Sequence, residues 1–193
     1  MDILNIFSAF GLSASAGLNA YIPLLIVALL AKFTSLIHLN QPWDALTSWW
    51  AIGVLVVLSC VEFFADKIPA VNHVNDIIQT IIRPTAGAIL FAASAHAVTN
   101  VHPVLSLALG LLVSGSVHTV KALAVRPAVT ATTAGVGNVP VSMLEDFIST
   151  VTSLIAVIVP VMIAIALILL SAWLLWRALR PKRPYSSSPS RRS

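Results

Sequence analysis

The chain has 193 residues, of which 58% are apolar and 9% charged, and its mean hydropathy is +0.95; soluble domains average about a quarter charged residues, so a water-soluble globular protein is excluded. The formal charge of +4 does not point to a nucleic-acid partner, because six of the eleven basic residues (Arg177, Arg180, Lys182, Arg183, Arg191, Arg192) follow the last apolar stretch. A single cysteine, Cys60, excludes an intrachain disulfide, and its apolar setting predicts a small core residue.

A bilayer core takes about 20 apolar residues per helix. On that ruler the chain holds five spans, near Ile3 to Phe33, Trp49 to Ala65, Pro84 to Thr99, Val104 to Val120 and Phe147 to Trp176. The expected fold is an all-α integral membrane protein of about five transmembrane helices with broken or re-entrant segments. Residues 1–176 form one transmembrane domain. No basic n-region and cleavage site precede the first apolar stretch, so Met1 is read as the start of the mature chain.

The first span carries Ser13-Ala14-Ser15-Ala16-Gly17-Leu18-Asn19, followed by Pro23. Broken backbone in a membrane survives only where it packs in protein or lines a wet cavity. Ser13, Ser15, Gly17 and Asn19 are therefore candidate ligands for an ion or solute, with Pro23 as a source of a kink. Trp43, Trp49 and Trp50 stand before the second span as headgroup anchors. At that span's end, Glu62 and Asp66 share a helix face at i,i+4, beside Phe63 and Phe64. Such a pair is a candidate proton or cation carrier. Pairing with Lys67, Arg83 or Lys121 to staple helices fits the spacing equally well.

Between the second and third spans, Val74, Ile77, Ile78, Ile81 and Ile82 fall on one helical face, opposite Asn75, Asp76, Gln79, Thr80 and Arg83. This pattern predicts a short amphipathic helix from about Asn72, ended by Pro84 and lying in the interface or, as the less favoured alternative, leaning over the bundle as a lid. The fourth span ends near His118 and Lys121, one turn apart and available to the acids. A long connection with Arg126 follows, and then a second small-residue run, Thr130-Ala131-Thr132-Thr133-Ala134-Gly135-Val136-Gly137-Asn138, before Pro140. Thr130, Thr132, Thr133, Gly135, Gly137 and Asn138 are candidate ligands by the same argument as the first run, with the hydroxyls facing a cavity. The two runs match in order but slip by one residue, so duplication and coincidence both remain open.

Ser142-Met143-Leu144-Glu145 has the form of a capping box, and Glu145 and Asp146 would complement the dipole of the last helix. The alternative is that this helix start and the unwound run together hold an ion. Trp173 and Trp176 close the last span. The tail, 177–193, is basic and rich in proline and serine, hence disordered, and basic flanks stay on the cytoplasmic side. Five spans then put Glu62, Asp66, Lys67, Asp76, Arg83, Lys121, Arg126, Glu145 and Asp146 at the opposite mouth. The histidines His38, His73, His96, His102 and His118 have no zinc spacing, and no metal or other cofactor is expected.

GLSASAGLNAYIPLL, IPAVNHVNDIIQTIIRPTAGAIL and TATTAGVGNVPVSMLED together resemble an uncharacterised bacterial membrane-protein family, the domain of unknown function 4126 family. The Thr-Ala-Thr-Thr-Ala-Gly-Val-Gly-Asn-Val-Pro string is the most specific part. The family pattern has a glycine where Ala134 stands and an arginine near Asn19. The resemblance implies a bacterial origin and a helical membrane fold; it supplies no activity, so function rests on the residues.

From the residues, the expected function is a transporter or channel for an ion or small polar or anionic solute, with a phosphate-bearing lipid as a variant. The alternatives are an intramembrane lipid-modifying enzyme using Glu62 or Asp66 as base with His118, and a membrane scaffold. Its expected partners are the lipid bilayer, the permeating ion or solute and, as an open option, further copies of the chain. The expected location is the bacterial inner membrane, with several passes and a cytoplasmic C-terminus.

Overall fold

The computed structural model describes residues 2–95 and 102–179, and among these all regular structure is helical. His96 and the tail from residue 180 lie outside them. The elements are α1 (Asp2–Leu18), α2 (Tyr21–Phe33), a 3-10 turn (Trp43–Thr47), α3 (Trp49–Ala65), α4 (Pro69–Ala95), α5 (Pro103–Val120), a π turn (Lys121–Val125), α6 (Arg126–Thr133) and α7 (Asn138–Leu179). Among the described residues three stretches are long and apolar enough to cross a bilayer, Val74–Ser94, Pro103–Thr133 and Asn138–Pro160, and α2 and α3 are shorter apolar helices. This is an all-α membrane protein. The chain divides into two units, Met1–Val161 and Met162–Ser193.

In the first unit, α1, α4 and α5 pack on one another and α2 packs on α3. Large apolar side chains lie mostly outside, whereas small and polar ones fill much of the interior. On α5 the buried residues are Ser106, Gly110, Ser114 and His118, every fourth position; on α7 Ser142, Glu145, Ser149 and Ser153 are buried at helical spacing. Lipid tails are as apolar as leucine, so helices associate in a membrane through close packing and hydrogen bonds. Ser13 Oγ donates to the Gly110 carbonyl at 2.8 Å, Ser114 Oγ to the Arg83 carbonyl at 2.7 Å and Ser149 Oγ to the Ser15 carbonyl at 3.0 Å. Glycines set the separation. A Cβ on Gly17 would stand 2.6 Å from the Ser114 carbonyl oxygen, and one on Gly110 would stand 2.6 Å from Phe91 Cβ. An apolar core of Leu12, Ala16, Leu24, Val27, Ile52, Leu55, Ala86 and Leu90 fills the rest.

The first small-residue run is helical as far as Leu18; the break falls at Asn19 and Ala20. Asn19 Oδ1 accepts from the backbone N–H groups of Tyr21 and Ile22, both at 3.0 Å, and so caps α2. Pro23 lies in the first turn of α2, where a missing N–H costs nothing, and is not the source of the interruption.

The expected interfacial amphipathic helix does not exist as a separate element. Pro84 lies inside α4, which continues to Ala95. The amphipathicity is inverted: Ile81 is 74% exposed, with Val74, Ile77 and Ile78 also outward, while Gln79 and Arg83 are buried. An apolar stripe that meets lipid and a polar stripe that meets the bundle suit a spanning helix. Cys60, expected in the core, is exposed on α3, where the neighbouring Val57 and Val61 also face outward. Trp49 and Trp50 are exposed at the start of α3, as headgroup anchors require.

In the second unit α7 runs on to Leu179. Trp173 and Trp176 are exposed, and the Arg177 guanidinium lies 5.4 Å from the Trp173 ring centre.

Candidate functional site

Six ionisable side chains meet inside the first unit. Glu62 comes from α3, Asp66 from the turn after it, Arg83 from α4, Lys121 from the π turn, Arg126 from the first residue of α6 and Glu145 from α7. All are buried. Arg83 Nη2 donates to Glu62 Oε1 at 2.8 Å and stands 3.9 Å from Asp66 Oδ2. Arg126 Nη2 reaches Asp66 Oδ2 at 3.2 Å and Glu145 Oε2 at 2.8 Å, and Lys121 Nζ reaches the same Glu145 oxygen at 2.8 Å. Three cations thus face three carboxylates in a bundle walled by apolar residues.

The π turn makes the two-on-one pairing at Glu145 possible. Residues five apart on an α-helix point about 140° apart. Here the Arg126 N–H bonds to the Lys121 carbonyl, five residues back, which brings Arg126 nearly over Lys121. The local cause is Pro127. Its ring would clash with the Leu123 carbonyl in a regular helix, and the wider turn relieves this. The expected long connection after Val120 is therefore helical, and it brings Lys121 and Arg126 inward.

Asp66 is the best-held acid. Asn75 Nδ2 donates to its Oδ1 at 2.8 Å, and Ser142 Oγ to its Oδ2 at 3.2 Å. Burial disfavours its charged form, but Lys121, Arg83 and Arg126 outweigh that and hold its carboxyl below the usual aspartate range. Glu62 is 1% exposed, and its Oε2 has no hydrogen-bond partner among the described residues. The Tyr21 phenol lies within electrostatic reach of it, with the Gln79 side chain beside that phenol.

His118 does not serve the acids. Its Nδ1 is 3.3 Å from Arg83 Nη1 and its Nε2 is 3.1 Å from Thr80 Oγ1. A guanidinium only donates, so Nδ1 accepts and the ring proton sits on Nε2, directed at Thr80. Thr80 Oγ1 in turn donates to the Asp76 carbonyl at 2.9 Å. Both ring nitrogens are therefore engaged in a neutral imidazole.

The capping-box reading of Ser142 and Glu145 fails, because α7 begins at Asn138 and both residues lie beyond its first turn. Their partners are Asp66, Lys121 and Arg126 rather than backbone N–H groups. Asp146 is half-buried, with Oδ1 accepting from Asn19 Nδ2 at 3.0 Å. Asp76, also half-buried, lies within electrostatic reach of Arg126.

Residues 6–180 match a protein family described as a domain of unknown function, DUF4126. The chain belongs to the DUF4126 family. No curated protein and no solved structure matches it significantly.

The conspicuous Thr-Gly-Asn-Pro string of this DUF4126 chain lies apart from the ion pairs. Thr130, Thr132 and Thr133 are exposed. Thr132 and Thr133 donate to carbonyls of their own helix, Asn138 Nδ2 donates to Thr130 Oγ1 at 3.0 Å, and the Gly137 N–H donates to Thr133 Oγ1 at 2.9 Å. The string closes a turn between two helices with Ala134 and Gly135 at φ 53° and 88°. The hydroxyls of Thr132 and Thr133 are turned onto their own helix, and that of Thr130 pairs with the Asn138 side chain at the start of α7. Ser13, Ser15 and Gly17 pack helices together, and Asn19 alone of the first run reaches the acids. Sequence reasoning missed Asn75, Gln79, Tyr21 and Ser142 as neighbours of the charges. The fourfold spacing from Ser106 to His118 was the signal that marked an inward face.

Proposed function

We propose that this DUF4126 protein is a small permeation protein, a transporter or channel for an ion or small polar solute, with Glu62 as the carrier of a proton or cation. The observation that carries this reading is the set of six buried charges, four of them on stretches long and apolar enough to span a bilayer and two at the end of the shorter apolar α3. Ionisable groups within a bilayer are expensive and by default mark ion or solute paths. A structural staple needs each carboxylate fully engaged, as Asp66 is; Glu62 keeps one buried oxygen without a partner among the described residues and is the acid able to take a proton or cation. Arg83, Lys121 and Arg126 neutralise the site and leave it open to an anionic solute or a phosphate-bearing headgroup as cargo. The bilayer is the one partner this reading requires. We place the protein in a bacterial inner membrane with the C-terminus cytoplasmic, because the basic residues from Arg177 onward flank the last apolar stretch.

The test is flux in liposomes containing the purified full chain. An entrapped pH dye reports protons under an imposed potential, and labelled sodium, rubidium and phosphate report other cargo. Wild type should exceed protein-free liposomes for at least one species, and Glu62→Gln should lose it. No flux of any of these ends the reading and leaves a scaffold, which the glycine and serine packing between helices favours. The lipid-enzyme reading draws less support, since both nitrogens of His118 are held by Arg83 and Thr80.

A further inference from the structure

Charge pairing alone does not account for where Lys121 lies. Its side chain is 3% exposed, and its ammonium touches two oxygens, Glu145 Oε2 at 2.8 Å and the Leu18 carbonyl at 2.9 Å. Leu18 is the last residue of α1. There the break leaves carbonyls without intrahelical partners, at the negative end of the helix dipole. A buried carboxylate oxygen and a helix-terminal carbonyl, brought together across a membrane bundle, are the donors that small cations take in broken-helix carriers. Hard oxygen donors of this kind suit ions that are held by charge and size rather than by covalency.

We propose that the α1–α2 break and Glu145 form a monovalent-cation site whose resident ion is the chain's own Lys121 ammonium. The tether decides which ion can be exchanged. A covalently held ammonium cannot leave, but it can give one proton to water and become a neutral amine, so the ion exchanged at this site is a proton. Burial opposes the charge on Nζ, as do Arg83 on α4 and Arg126 on α6, while Glu145 on α7 and Asp66 in the turn after α3 hold it. Asp146 on α7, Glu62 on α3 and His118 on α5 also lie within electrostatic reach, and α1 contributes a backbone carbonyl. The proton's role in coupling rests on the permeation reading; the site's chemistry does not.

Removing the tethered cation should create a site for a free one. In the purified full chain, Lys121→Ala should melt at a lower temperature than wild type. Methylammonium chloride at ten times its dissociation constant should raise that melting point by about 3–6 °C. Choline chloride at the same ionic strength should not, because its head is too large for the space. Wild type, and Lys121→Met, which fills the space without charge, should respond to neither salt. An equal response to both salts, a response in Lys121→Met, or a folded Lys121→Ala that answers to neither overturns the proposal. Should Lys121→Ala not fold, the wild-type chain labelled with 15N at lysine Nζ replaces it. A resident ammonium gives an exchange-protected N–H signal that disappears in Lys121→Met, and the absence of that signal overturns the proposal. Rescue by methylammonium without flux in liposomes keeps the site and discards the permeation reading; flux without rescue does the reverse.

Discussion

Glu62 and Asp66 stand one helical turn apart, yet their surroundings predict different outcomes for the two closest isosteric changes. Asp66 joins the turn after α3 to α4, α6 and α7, with Asn75, Arg126 and Ser142 within 2.8–3.2 Å and Arg83 at 3.9 Å. Asp66→Asn removes the negative charge that two guanidinium groups face and puts an amide N–H₂ where one carboxylate oxygen accepts. Breaking a buried ionic joint from one side costs about 3–5 kcal/mol. Glu62→Gln keeps Oε1 as an acceptor for Arg83 at 2.8 Å, and Asp66 remains as a nearby counter-charge. Its loss is about the worth of one charged hydrogen bond, ~1.5 kcal/mol. At roughly 2–4 °C per kcal/mol for a chain of this size, Asp66→Asn should lower the melting point by about 10 °C and Glu62→Gln by about 4 °C. Both are read by thermal unfolding in detergent, with liposome flux measured on the same preparations. Glu62→Gln should lose flux while staying folded. If it destabilises as much as Asp66→Asn, Glu62 is a staple and the assignment of roles is wrong; wild-type flux in Glu62→Gln removes it as carrier.

Three further outcomes follow from the geometry. Gly110→Ala should cost about 1–3 kcal/mol, because the added Cβ meets the Ala88 Cα at 2.7 Å as well as Phe91, and backbone there cannot yield without parting α4 from α5; a detergent melt in which it behaves as wild type refutes the close contact. Ala134→Gly should stabilise by about 1 kcal/mol, because Ala134 is exposed and holds left-handed backbone at φ 53°; no gain in melting temperature counts against that conformation. The depressed carboxyl of Asp66 predicts an acid limb. Its stabilisation is complete above the unfolded aspartate value, about 3.9, and is lost as pH falls below that toward the folded value. Melting points measured across that range should fall in wild type, and Asp66→Asn should show a flatter profile.

The residues that mattered were legible in type but not in placement. Composition and span length predict a helical membrane protein, and the acids and bases of the site stand out because charge is scarce in such a chain. The pairing of Lys121 and Arg126 was hidden, since regular helical spacing sets them about 140° apart and only the π turn before Pro127 aligns them. The α4 segment was misplaced for a related reason. A polar stripe on a helix reads as facing water when the reference is an interface, yet in a spanning helix the same stripe faces protein. Gln79 and Arg83 inside and Ile81 outside follow from that reversal.

The most conspicuous string, Thr130 to Asn138, closes a turn between α6 and α7. Threonine, glycine and asparagine at a helix break can line a site or close a turn, and the two uses share a residue pattern. What separates them is where the hydroxyls find acceptors. Those of Thr132 and Thr133 find them one turn back on their own helix. At the other break Asn19 divides its side chain, giving Oδ1 to the start of α2 and Nδ2 to Asp146, while the freed Leu18 carbonyl takes Lys121. A break becomes part of a site when its unsatisfied backbone is answered by a charged group from another helix, and of the two breaks it is the one at Asn19 that meets this condition.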